Sequence, residues 1–476
     1  MDEQRERELK FDVPDGWVLP DTGELTPRGG SIHSQAVRLN STYFDTTDHD
    51  LLRSGVTLRR RTGDADTGWH LKVPAGDART EIRLPVDGDT VPDELLQLVR
   101  GLTGGARVAP VATLETERHL HRVIDSVGSP LAEIADDEVT ATVDGDTGGV
   151  SHWHEIEVEL AEGDEKLLSR SARWLTRSGA RPASVGSKLA RAIGPVSAAR
   201  TGERTLGELV EQYLREQHRV IVQGDVDLRR GGDVVHRTRV ATRRFRSVLR
   251  VFGELFDADR GRTLDRELAW YAERLGAVRD VQVLREHLRE QVAALPSMAK
   301  SEQLGAHLGR ALDVDEQQAK GALLAALAGD RYAALLHDIR AFVEDEPARI
   351  TRPRSDVAAF VKTAVTKQRK RLRAAAATPV HDDAMHRARK AAKRARYTAE
   401  VAEPVLGKRA ARLVKLGKTV QNDLGTLQDA VVASHYLLGI AQGDGDIAFG
   451  LGVLWCAEQQ RAADARLAGR KLARRV

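Results

Sequence analysis

The sequence predicts an α+β protein of two modules, a β-rich N-terminal module followed by an all-helical C-terminal module. Residues 1–195 consist of short alternating runs separated by Gly, Asp and Pro clusters, a pattern typical of antiparallel strands. From Thr205 onward, long stretches rich in Ala, Leu, Arg and Glu indicate helices. A single phrase of sequence occurs twice within this helical module, which predicts an internal repeat.

The bulk composition favours folded, intracellular modules. A chain of 476 residues is too long for one hydrophobic core, and a hydrophobic content of 41% excludes a disordered chain. The single cysteine, Cys456, excludes an intramolecular disulfide and lies in an apolar helical stretch, where we expect it in the core. No apolar stretch approaches the roughly 20 residues of a membrane span. We therefore expect a cytoplasmic protein without a membrane partner.

The net charge of +3 conceals opposite charges on the two modules. Residues 1–200 contain 24 Lys and Arg against 34 Asp and Glu, whereas the remainder has a net charge of +13. Such asymmetry predicts different partners for the two modules. The second module should attract an anion, which is a nucleic acid, a phosphate polymer or an anionic membrane.

The N-terminal strands carry charged residues at alternate positions. Glu6, Glu8 and Lys10 point to the same side of the first strand. This pattern usually marks a solvated sheet face, but a sheet cannot solvate every face and still bury a core. A barrel with a polar lumen resolves the conflict. We expect strands near Val56–Arg61, Gly68–Val73, Glu81–Val86 and Trp153–Leu160, helices near Asp93–Arg100 and Glu165–Ser178, and a linker at Pro195–Glu203.

The predicted lumen combines carboxylates with cations. Carboxylate oxygens at alternate strand positions suit a hard divalent cation, Mg²⁺ or Mn²⁺, while Lys and Arg neutralise phosphate oxygens. A ligand that brings both signs, such as a metal–triphosphate complex, fits this combination. The carboxylates are Glu6, Glu8, Glu155, Glu157 and Glu159, and the cations are Lys10, Arg59, Arg61, Lys72, Arg83, Arg118 and Lys188.

The repeated phrase begins at His236 and again at His386, 150 residues later. Leu275–Asp280 and Leu424–Asp429 form a second matching pair, 149 residues apart. Two similar helical bundles are therefore predicted. We place them at about residues 205–345 and 352–476, joined by Pro347–Pro353.

Each copy of the phrase aligns its cations along one stripe of a helix. With about 100° per residue, Arg239 and Arg243 fall within roughly 60° of His236, while Phe245, Val248, Leu249 and Phe252 take the opposite, core-facing side. Like charges on one stripe repel, so the arrangement costs stability and suits a linear polyanion, and a His beside them should be neutral at pH 7. The predicted binding residues are His236, Arg239, Arg243, Arg246, Arg250, His386, Arg389, Lys393, Arg396, Arg412 and Lys415.

Nucleic acid offers the same phosphates as a phosphate polymer. Single-strand binders interleave aromatic residues with basic ones so that bases can stack. Only 4% of this chain is aromatic, and no zinc-finger or RNA-recognition signature is present. Inorganic polyphosphate needs no stacking and is the favoured partner, so no specific nucleic acid is expected. A membrane surface is disfavoured because bundle packing uses the face opposite the charge.

Two histidine pairs in the N-terminal half have i, i+2 spacing. His119 and His121 form one pair, and His152 and His154 form the other. Histidines at this spacing could ligate a metal, but they come without a cysteine or carboxylate framework. We interpret them as residues of a sheet surface.

The N-terminal module resembles the CYTH domain, the triphosphate tunnel fold. Glu6-x-Glu8-x-Lys10 is similar to the ExExK signature of that family. The resemblance covers residues 1–196 and implies an eight-stranded antiparallel β tunnel. Further motifs in the expected order are Tyr43–Thr46, Leu58–Arg61, Leu71–Lys72, Glu155–Glu157 and Ser187–Arg191.

The resemblance also implies residue roles. The seven lumen cations would bind phosphates, and Asp136 or Asp137 would supply the acidic strand residue of the family. No covalent nucleophile is implied: a metal-polarised water would attack the terminal phosphoryl group, with a carboxylate such as Glu81 orienting it. The implied metal ligands are Glu6, Glu8, Glu157 and either Glu155 or Glu159, and the implied catalytic residues are Glu6, Glu8 and Glu81.

The doubled His/Arg phrase resembles the CHAD domain, a helical module that is linked to inorganic polyphosphate. The resemblance covers residues 204–476 and implies two pseudo-repeated four-helix bundles. CHAD modules often follow CYTH domains in bacterial proteins, so each resemblance supports the other.

Three functions remain open from the sequence. The first is a metal-dependent triphosphatase that acts on inorganic triphosphate, polyphosphate ends or another triphosphate-containing small molecule. The second is a non-catalytic protein that docks on polyphosphate granules. The third is an adenylate cyclase, which we rank last because no sequence feature demands an adenine pocket.

Overall fold

The computed structural model divides the chain into two compact units, Met1–Arg200 and Thr201–Val476. The first unit is an antiparallel sheet with helices, and the second is helical, which confirms the predicted α+β class. The predicted linker at Pro195–Glu203 and the Pro347–Pro353 connection lie outside the described residues. The structure describes residues 2–14, 16–63, 66–75, 78–144, 149–194, 206–295, 302–344, 354–376, 382–441 and 446–470.

Ten described strands form the sheet of the first unit. They are β1 (Asp2–Glu6), β2 (Glu8–Asp12), β3 (Ser31–Asp45), β4 (Thr57–Thr62), β5 (Gly68–Ala75), β6 (Ala78–Leu84), β7 (Ala109–Ile124), β8 (Pro130–Val143), β9 (Val150–Leu160) and β10 (Arg181–Pro182). Their order in the sheet is β1-β6-β5-β4-β3-β7-β8-β9-β2-β10, and the described pairs are antiparallel.

Strands β1 and β2 are two portions of one segment, divided at Arg7. β1 pairs with β6 near one edge of the sheet, with Glu6 opposite Arg79, and β2 pairs with β9 near the other, with Lys10 opposite Glu157. The chain therefore joins the two sides of the sheet, although the hydrogen-bonded ladder itself is not closed. If β1 and β2 count as one strand and the two-residue β10 is left aside, the described strands number eight, as the family resemblance implies.

Apolar and charged residues alternate along the strands, so that one side of the sheet is apolar and the other is charged. On β9, Ile156 and Val158 pack under Trp174 of α3, whereas Glu155 and Glu157 point to the opposite side. The apolar side is thus covered by a helix, and the charged side is left for the lumen. The described helices of this unit are α1 (Asp50–Arg53), α2 (Asp93–Thr103), α3 (Glu165–Arg177) and α4 (Lys188–Ile193).

The second unit repeats a four-helix pattern. Its described helices are α5 (Leu206–Arg229), α6 (Val235–Val251), α7 (Ala258–Ala293), α8 (Glu302–Ala328), α9 (Asp330–Glu344), α10 (Arg354–Ala376), α11 (Asp382–Leu406), α12 (Lys408–Gly439) and α13 (Asp446–Arg470). Helices α10–α13 correspond in order to α5–α8, and α9 is an addition to the first repeat. One hydrophobic cluster contains residues of both repeats, from Leu209 to Ala465, so the two repeats share a core.

Close helix contacts orient the cationic helix α6. Phe245, Val248, Leu249 and Phe252 are buried, which confirms the predicted core side of the stripe. On α5, a Cβ at Gly224 would lie 2.2 Å from Thr238 Oγ1, so only glycine permits this approach of α5 to α6. Packing at this point therefore fixes which side of α6 faces outward.

The expectation for Cys456 was wrong, because the structure places it at the surface of α13. Leu454 and Ala462 lie on the buried side of α13. Cys456 follows Leu454 by two residues and is therefore rotated from it by about 200° around the helix axis. The helical periodicity, rather than the local apolar composition, decides its exposure. Among the described residues no helix is long and apolar enough to cross a membrane.

The Gly224 contact predicts a change in stability. Gly224→Ala should lower the free energy of unfolding of the helical unit by about 1–3 kcal/mol, because the added methyl group must push α6 away. Gly452→Ala on α13 is the matched control: a Cβ there meets nothing within 4 Å. It should raise stability by about 0.5–1 kcal/mol. Denaturant unfolding of the full chain, followed by circular dichroism of the helices, measures both values, and a stabilised Gly224→Ala would contradict the packing.

Candidate functional site

A cavity of about 420 Å³ runs along the charged side of the sheet in the first unit. The seven predicted cations Lys10, Arg59, Arg61, Lys72, Arg83, Arg118 and Lys188 line it, together with Glu6, Glu8, Glu81, Glu157 and Glu159. Glu155 is buried beside the cavity, where it pairs with Lys188. The structure therefore gathers the predicted lumen residues around one polar space.

Helix α4 positions Lys188 at the cavity wall. Its Leu189 packs into an apolar cluster with Leu114, Val139 and Trp153, which lie on the lumen side of their strands. The Ser187 hydroxyl caps the helix by accepting a hydrogen bond from Ala190 N at 3.1 Å. This packing fixes the start of the helix, and with it the direction of the Lys188 side chain.

Lys188 binds three carboxylates at once. Its Nζ lies 2.9 Å from Asp137, 2.6 Å from Glu155 and 2.9 Å from Glu157. Arg118 adds a bidentate pair with Asp137, with both N–O distances 2.7 Å. Although burial opposes ionisation, Lys10, Lys188 and Arg118 hold the pKa of Glu157 well below its usual range. These carboxylates are therefore anions that the protein neutralises with its own cations.

Asp137 is the acidic residue that the sequence left undecided between two neighbours. Among the described residues, Asp137, Glu155 and Glu157 form the only group of at least three ligand atoms within 4.8 Å of one another. Asp137 pairs in register with Arg118 on β7 and with Glu155 on β9. The sequence contained no signal for this register, because Asp136 and Asp137 differ only in the face of β8 that they occupy.

Glu81 is an anchor for cations on the other side of the cavity. Its side chain is fully buried and lies 3.0 Å from His70 Nδ1, 2.5 Å from Arg83 and 3.6 Å from Arg59. Lys72 lies 3.5 Å away. Burial would raise the pKa of Glu81, but the His70 hydrogen bond and the charges of Lys72 and Arg59 outweigh it and lower the pKa. The ionised Glu81 therefore holds several lumen cations in place.

A second carboxylate group surrounds Glu159. Glu159 lies opposite Glu8 in the β2–β9 pair, and both line the cavity with Glu6. Glu6 accepts a hydrogen bond from Lys72 at 2.7 Å, and Glu8 lies 3.0 Å from Lys10. Burial, followed by the charge of Glu6, raises the pKa of Glu159 to about 7. Glu159 therefore resists ionisation mainly because it is buried, and secondly because it lies near Glu6, Glu8 and Glu157.

The residues around Glu159 fit a hard divalent cation. They offer several carboxylate oxygens in one polar cavity, which is the ligand set that Mg²⁺ and Mn²⁺ prefer. A divalent cation beside Glu159 would favour its ionised form and so offset the effect of burial. By contrast, Lys188 and Arg118 already supply positive charge to the group that contains Asp137.

Two lumen arginines each have one buried donor that no described residue satisfies. The Nε atoms of Arg59 and Arg61 are buried without a hydrogen-bond partner among the described residues. Burial and the charges of Arg59 and Arg118 lower the pKa of Arg61 to about 10. Buried donors without partners cost free energy, and an anion in the cavity would relieve both this cost and the repulsion.

In the second unit, α6 and α11 bring the two basic stripes together. Arg239 and Arg243 lie on α6, and Arg389, Lys393 and Arg396 lie on α11. Burial, with repulsion from Arg243, Arg389, Arg239 and Arg396, lowers the pKa of Lys393 to about 7. We call these five residues the helical cation cluster.

The repeated acidic residues interact with the repeated arginines. Asp280 pairs with Arg239 at 3.2 Å. Burial raises the pKa of Asp429, and the charge of Arg389 opposes that rise, so the equivalent residues of the second repeat lie near enough to interact electrostatically. The sequence showed these aspartates as repeat markers in Leu275–Asp280 and Leu424–Asp429 but contained no signal of their partners. Even so, the Nε atoms of Arg239 and Arg389 are buried without a hydrogen-bond partner among the described residues.

The other predicted residues of the helical site differ in their surroundings. Burial and the nearby charges of Arg279, Arg239 and Arg243 lower the pKa of His236, as expected for a His beside cations. Arg246 and Arg250 both bind Asp265 of α7, at 3.0 and 2.8 Å. Arg412 and Lys415 are exposed on α12, and the side chain of His386 lies outside the described residues.

The family models agree with this division of the chain. The CYTH domain matches residues 4–192, and the CHAD domain matches residues 212–438. The uncharacterized protein Rv2226 of Mycobacterium tuberculosis is 35% identical over an alignment of 499 positions, which covers 96% of this chain and 95% of that protein.

Some solved structures resemble a portion of this chain. The CHAD domain from the plant Ricinus communis is 24% identical, and the match covers 59% of this chain and 95% of that one, with a TM-score of 0.47. PptA from Streptomyces chartreusis is 22% identical, and the match covers 57% of this chain and 100% of that one, with a TM-score of 0.45. On the family matches and the full-length relative, the chain belongs to the proteins in which a CYTH domain is followed by a CHAD domain.

Proposed function

We propose that the CYTH domain hydrolyses the terminal phosphoanhydride bond of a linear triphosphate or polyphosphate, and that the CHAD domain binds long-chain inorganic polyphosphate. One observation supports the hydrolytic role most strongly: nine lysines and arginines and seven carboxylates line a single cavity. A ligand with both phosphates and a divalent cation matches that mixture of charges. The proposed place of action is the cytoplasm, at or near polyphosphate granules.

In this proposal, Glu6, Glu8 and Glu159 hold Mg²⁺ or Mn²⁺, with Glu157 beside them. When bound, the cation would neutralise phosphate oxygens and lower the pKa of a bound water. The support for this set is that its members line one cavity and that Glu8 lies directly opposite Glu159 in the β2–β9 pair. The alternative set of Asp137, Glu155 and Glu157 already has Lys188 as its counter-ion.

The lumen cations bind and orient the phosphates. Arg59 and Arg61 line the cavity, and each has a buried Nε donor without a partner among the described residues. Ion pairs hold the lumen cations without any ligand: Glu81 pairs with Arg59, Lys72 and Arg83, and Asp66 pairs with Arg61. Donors that are fixed before the ligand arrives need no reorganisation during the reaction, which is the main source of electrostatic catalysis. Glu81 is thus proposed to position cations, since its oxygens are already engaged by them.

Binding of phosphate would exchange partners inside the cavity. Lys10 pairs with both Glu8 and Glu157, and Lys72 pairs with Glu6. A phosphate oxygen that takes up these ammonium groups would free the carboxylates for the metal ion. The internal ion pairs therefore keep the cavity's charges in place and compensated until the metal–phosphate complex replaces them.

The helical cation cluster supports the proposed polyphosphate binding. Its cations repel one another, and their buried Nε donors lack partners at Arg239 and Arg389 among the described residues. A linear polyanion would neutralise the whole cluster at once. Tyr397 is the aromatic residue beside the cluster, and its ring is buried. The Cζ atoms of Arg243 and Arg396 lie 6.0 and 4.7 Å from the centre of this ring. Base stacking on it is thereby disfavoured.

Binding without hydrolysis is the second candidate function of the tunnel. It is favoured by one observation, namely that the tightest group of carboxylates is already occupied by Lys188 and Arg118. If that group were the metal site, a metal ion would have to displace both cations.

Replacing a proposed metal ligand should separate these candidates. In the full-length protein, Glu8→Gln should reduce metal-dependent phosphate release from inorganic triphosphate about 100-fold, because the proposed ion loses a charged ligand. Binding of long-chain polyphosphate by the CHAD domain should not change. The matched control is Glu115→Gln, an exposed residue of β7 that does not line the cavity. If neither the wild-type nor the variant releases phosphate from a panel of triphosphates with Mg²⁺ or Mn²⁺, the proposed hydrolysis is contradicted and binding without hydrolysis is the remaining function. Formation of cyclic AMP from ATP would indicate a cyclase.

Charge reversal should abolish polyphosphate binding by the helices. The double variant Arg239→Glu, Arg389→Glu places two anions in the centre of the cluster and should eliminate measurable affinity for long-chain polyphosphate. Arg274→Glu, Arg310→Glu changes the net charge equally at exposed positions and should bind as the wild-type does. Fluorescence anisotropy with labelled polyphosphate measures both. Retained affinity in the first variant, or equal affinity of the wild-type for single-stranded DNA, would contradict the proposal.

Lys393 should give polyphosphate affinity a pH dependence. Because burial and the charges of Arg243, Arg389, Arg239 and Arg396 lower the pKa of Lys393, binding of a polyanion should restore its proton. Affinity should therefore fall by up to about tenfold for each pH unit above about 7. Lys393→Arg should remove this fall, because arginine stays protonated. Isothermal titration calorimetry in buffers of different ionisation enthalpy counts the proton taken up, and an affinity that is independent of pH in the wild-type would be inconsistent with this account.

A further inference from the structure

The two basic stripes of the helical unit end differently. On α6 the stripe ends at Arg250, whereas the corresponding position on α11, 150 residues later, is Glu400. Glu400 lies 2.9 Å from Arg244 and 3.2 Å from Arg396. It also accepts a hydrogen bond from the Tyr213 hydroxyl at 3.0 Å. The α11 stripe therefore ends at a carboxylate that the protein itself neutralises.

The internal repeat places two arginines against each other at the other end of the α6–α11 contact. When two equivalent helices pack together, a contact of residue i with residue j is repeated as a contact of j with i. Arg244 faces Glu400, so their counterparts Arg394 and Arg250 should face each other. In agreement, burial, followed by the charges of Arg371 and Arg250, lowers the pKa of Arg394. An ion pair at one end thus corresponds to like charges at the other.

A third arginine comes from α10. This helix packs against α11 and buries Leu372 in the shared core, while the neighbouring Arg371 is exposed, as are Arg250 and Arg394. We call Arg250, Arg371 and Arg394 the outer arginine group. Among the residues that the structure describes, Arg371 and Arg394 have no carboxylate partner. Asp265 pairs with Arg250, so the group as a whole keeps an excess of positive charge.

The outer arginine group continues the helical cation cluster. Arg250 lies two turns beyond Arg243 on the same stripe, about 10 Å further along α6. On α11, Arg394 directly follows Lys393 of the cluster. At the opposite end of the α6–α11 contact, the carboxylate of Glu400 would repel a polyanion. The surface charge therefore favours one direction out of the cluster.

We propose that a long polyphosphate chain leaves the helical cation cluster over the outer arginine group, which binds phosphate units beyond those that the cluster holds. Guanidinium groups bind phosphate oxygens through paired N–H donors and stay protonated in solvent. The inference rests on the proposed polyphosphate binding, and it adds a second subsite and a direction to the bound chain. A chain that is too short to extend past the cluster would not reach this subsite.

Arg394→Glu tests the subsite while preserving the packing. The new carboxylate would face Arg250, as Glu400 already faces Arg244. The unfolding temperature of the full-length protein should therefore stay the same or rise. Affinity for long-chain polyphosphate, measured by fluorescence anisotropy with the labelled polymer, should nevertheless fall at least about tenfold. The slope of log affinity against log salt should decrease by about 1, because fewer counterions are released. A merely structural role would not combine retained stability with a smaller salt slope.

Controls separate the subsite from general charge effects. Arg310→Glu makes the same charge change at an exposed position of α8 and should bind as the wild-type does. Short-chain polyphosphate should bind Arg394→Glu with nearly wild-type affinity. Arg371→Gln replaces one exposed arginine of the group and should weaken long-chain binding in the same direction, which keeps the test decisive if Arg394→Glu does not fold.

The possible failures are distinguishable. If the wild-type binds no polyphosphate, the proposed function of the helical unit is contradicted, and this inference with it. If the wild-type binds and folded Arg394→Glu or Arg371→Gln keeps full long-chain affinity, the subsite alone is overturned. An equal loss for short and long chains, or a loss for single-stranded DNA without one for polyphosphate, would also overturn it.

Discussion

The concentration of buried positive charge is the constraint on which both domains depend. Cations repel one another and are costly to bury, so each must have a carboxylate partner or await a ligand. In the tunnel, Glu81 and Asp137 provide such partners from the strands themselves. In the helical cluster, burial and the four neighbouring arginines together lower the pKa of Lys393. The free energy stored in these arrangements is available to a polyanionic ligand.

The two domains handle this constraint differently, in ways that fit their proposed roles. The tunnel alternates cations and carboxylates around a small cavity, as suits a short ligand that brings its own metal ion. The cluster on α6 and α11 presents cations in a row, and Asp280 pairs with Arg239. This arrangement suits a long ligand whose charges are all negative. The repeat itself builds this row, because equivalent helices of both halves meet in one core.

Much of this could be predicted from the sequence, since it depends on local periodicity. Alternation on strands identified Arg59, Arg61 and the glutamates of β9 as facing one side, and helical periodicity separated Phe245 from Arg243. What escaped prediction depends on register between elements. The choice of Asp137 over Asp136 and the pairing of Arg239 with Asp280 are set by neighbouring strands or helices. Cys456 was misplaced because local composition was given more weight than periodicity.

The central claim is that the lumen cations and carboxylates together receive a metal-bound phosphate chain. A crystal structure of the full-length protein with Mn²⁺ and a non-hydrolysable triphosphate analogue tests it most directly. The account predicts phosphate oxygens within hydrogen-bond distance of Arg59 and Arg61, and an anomalous manganese peak beside Glu6, Glu8 and Glu159. A lumen without phosphate, in which Lys10 and Lys72 keep their carboxylate partners while the analogue lies elsewhere, would contradict it.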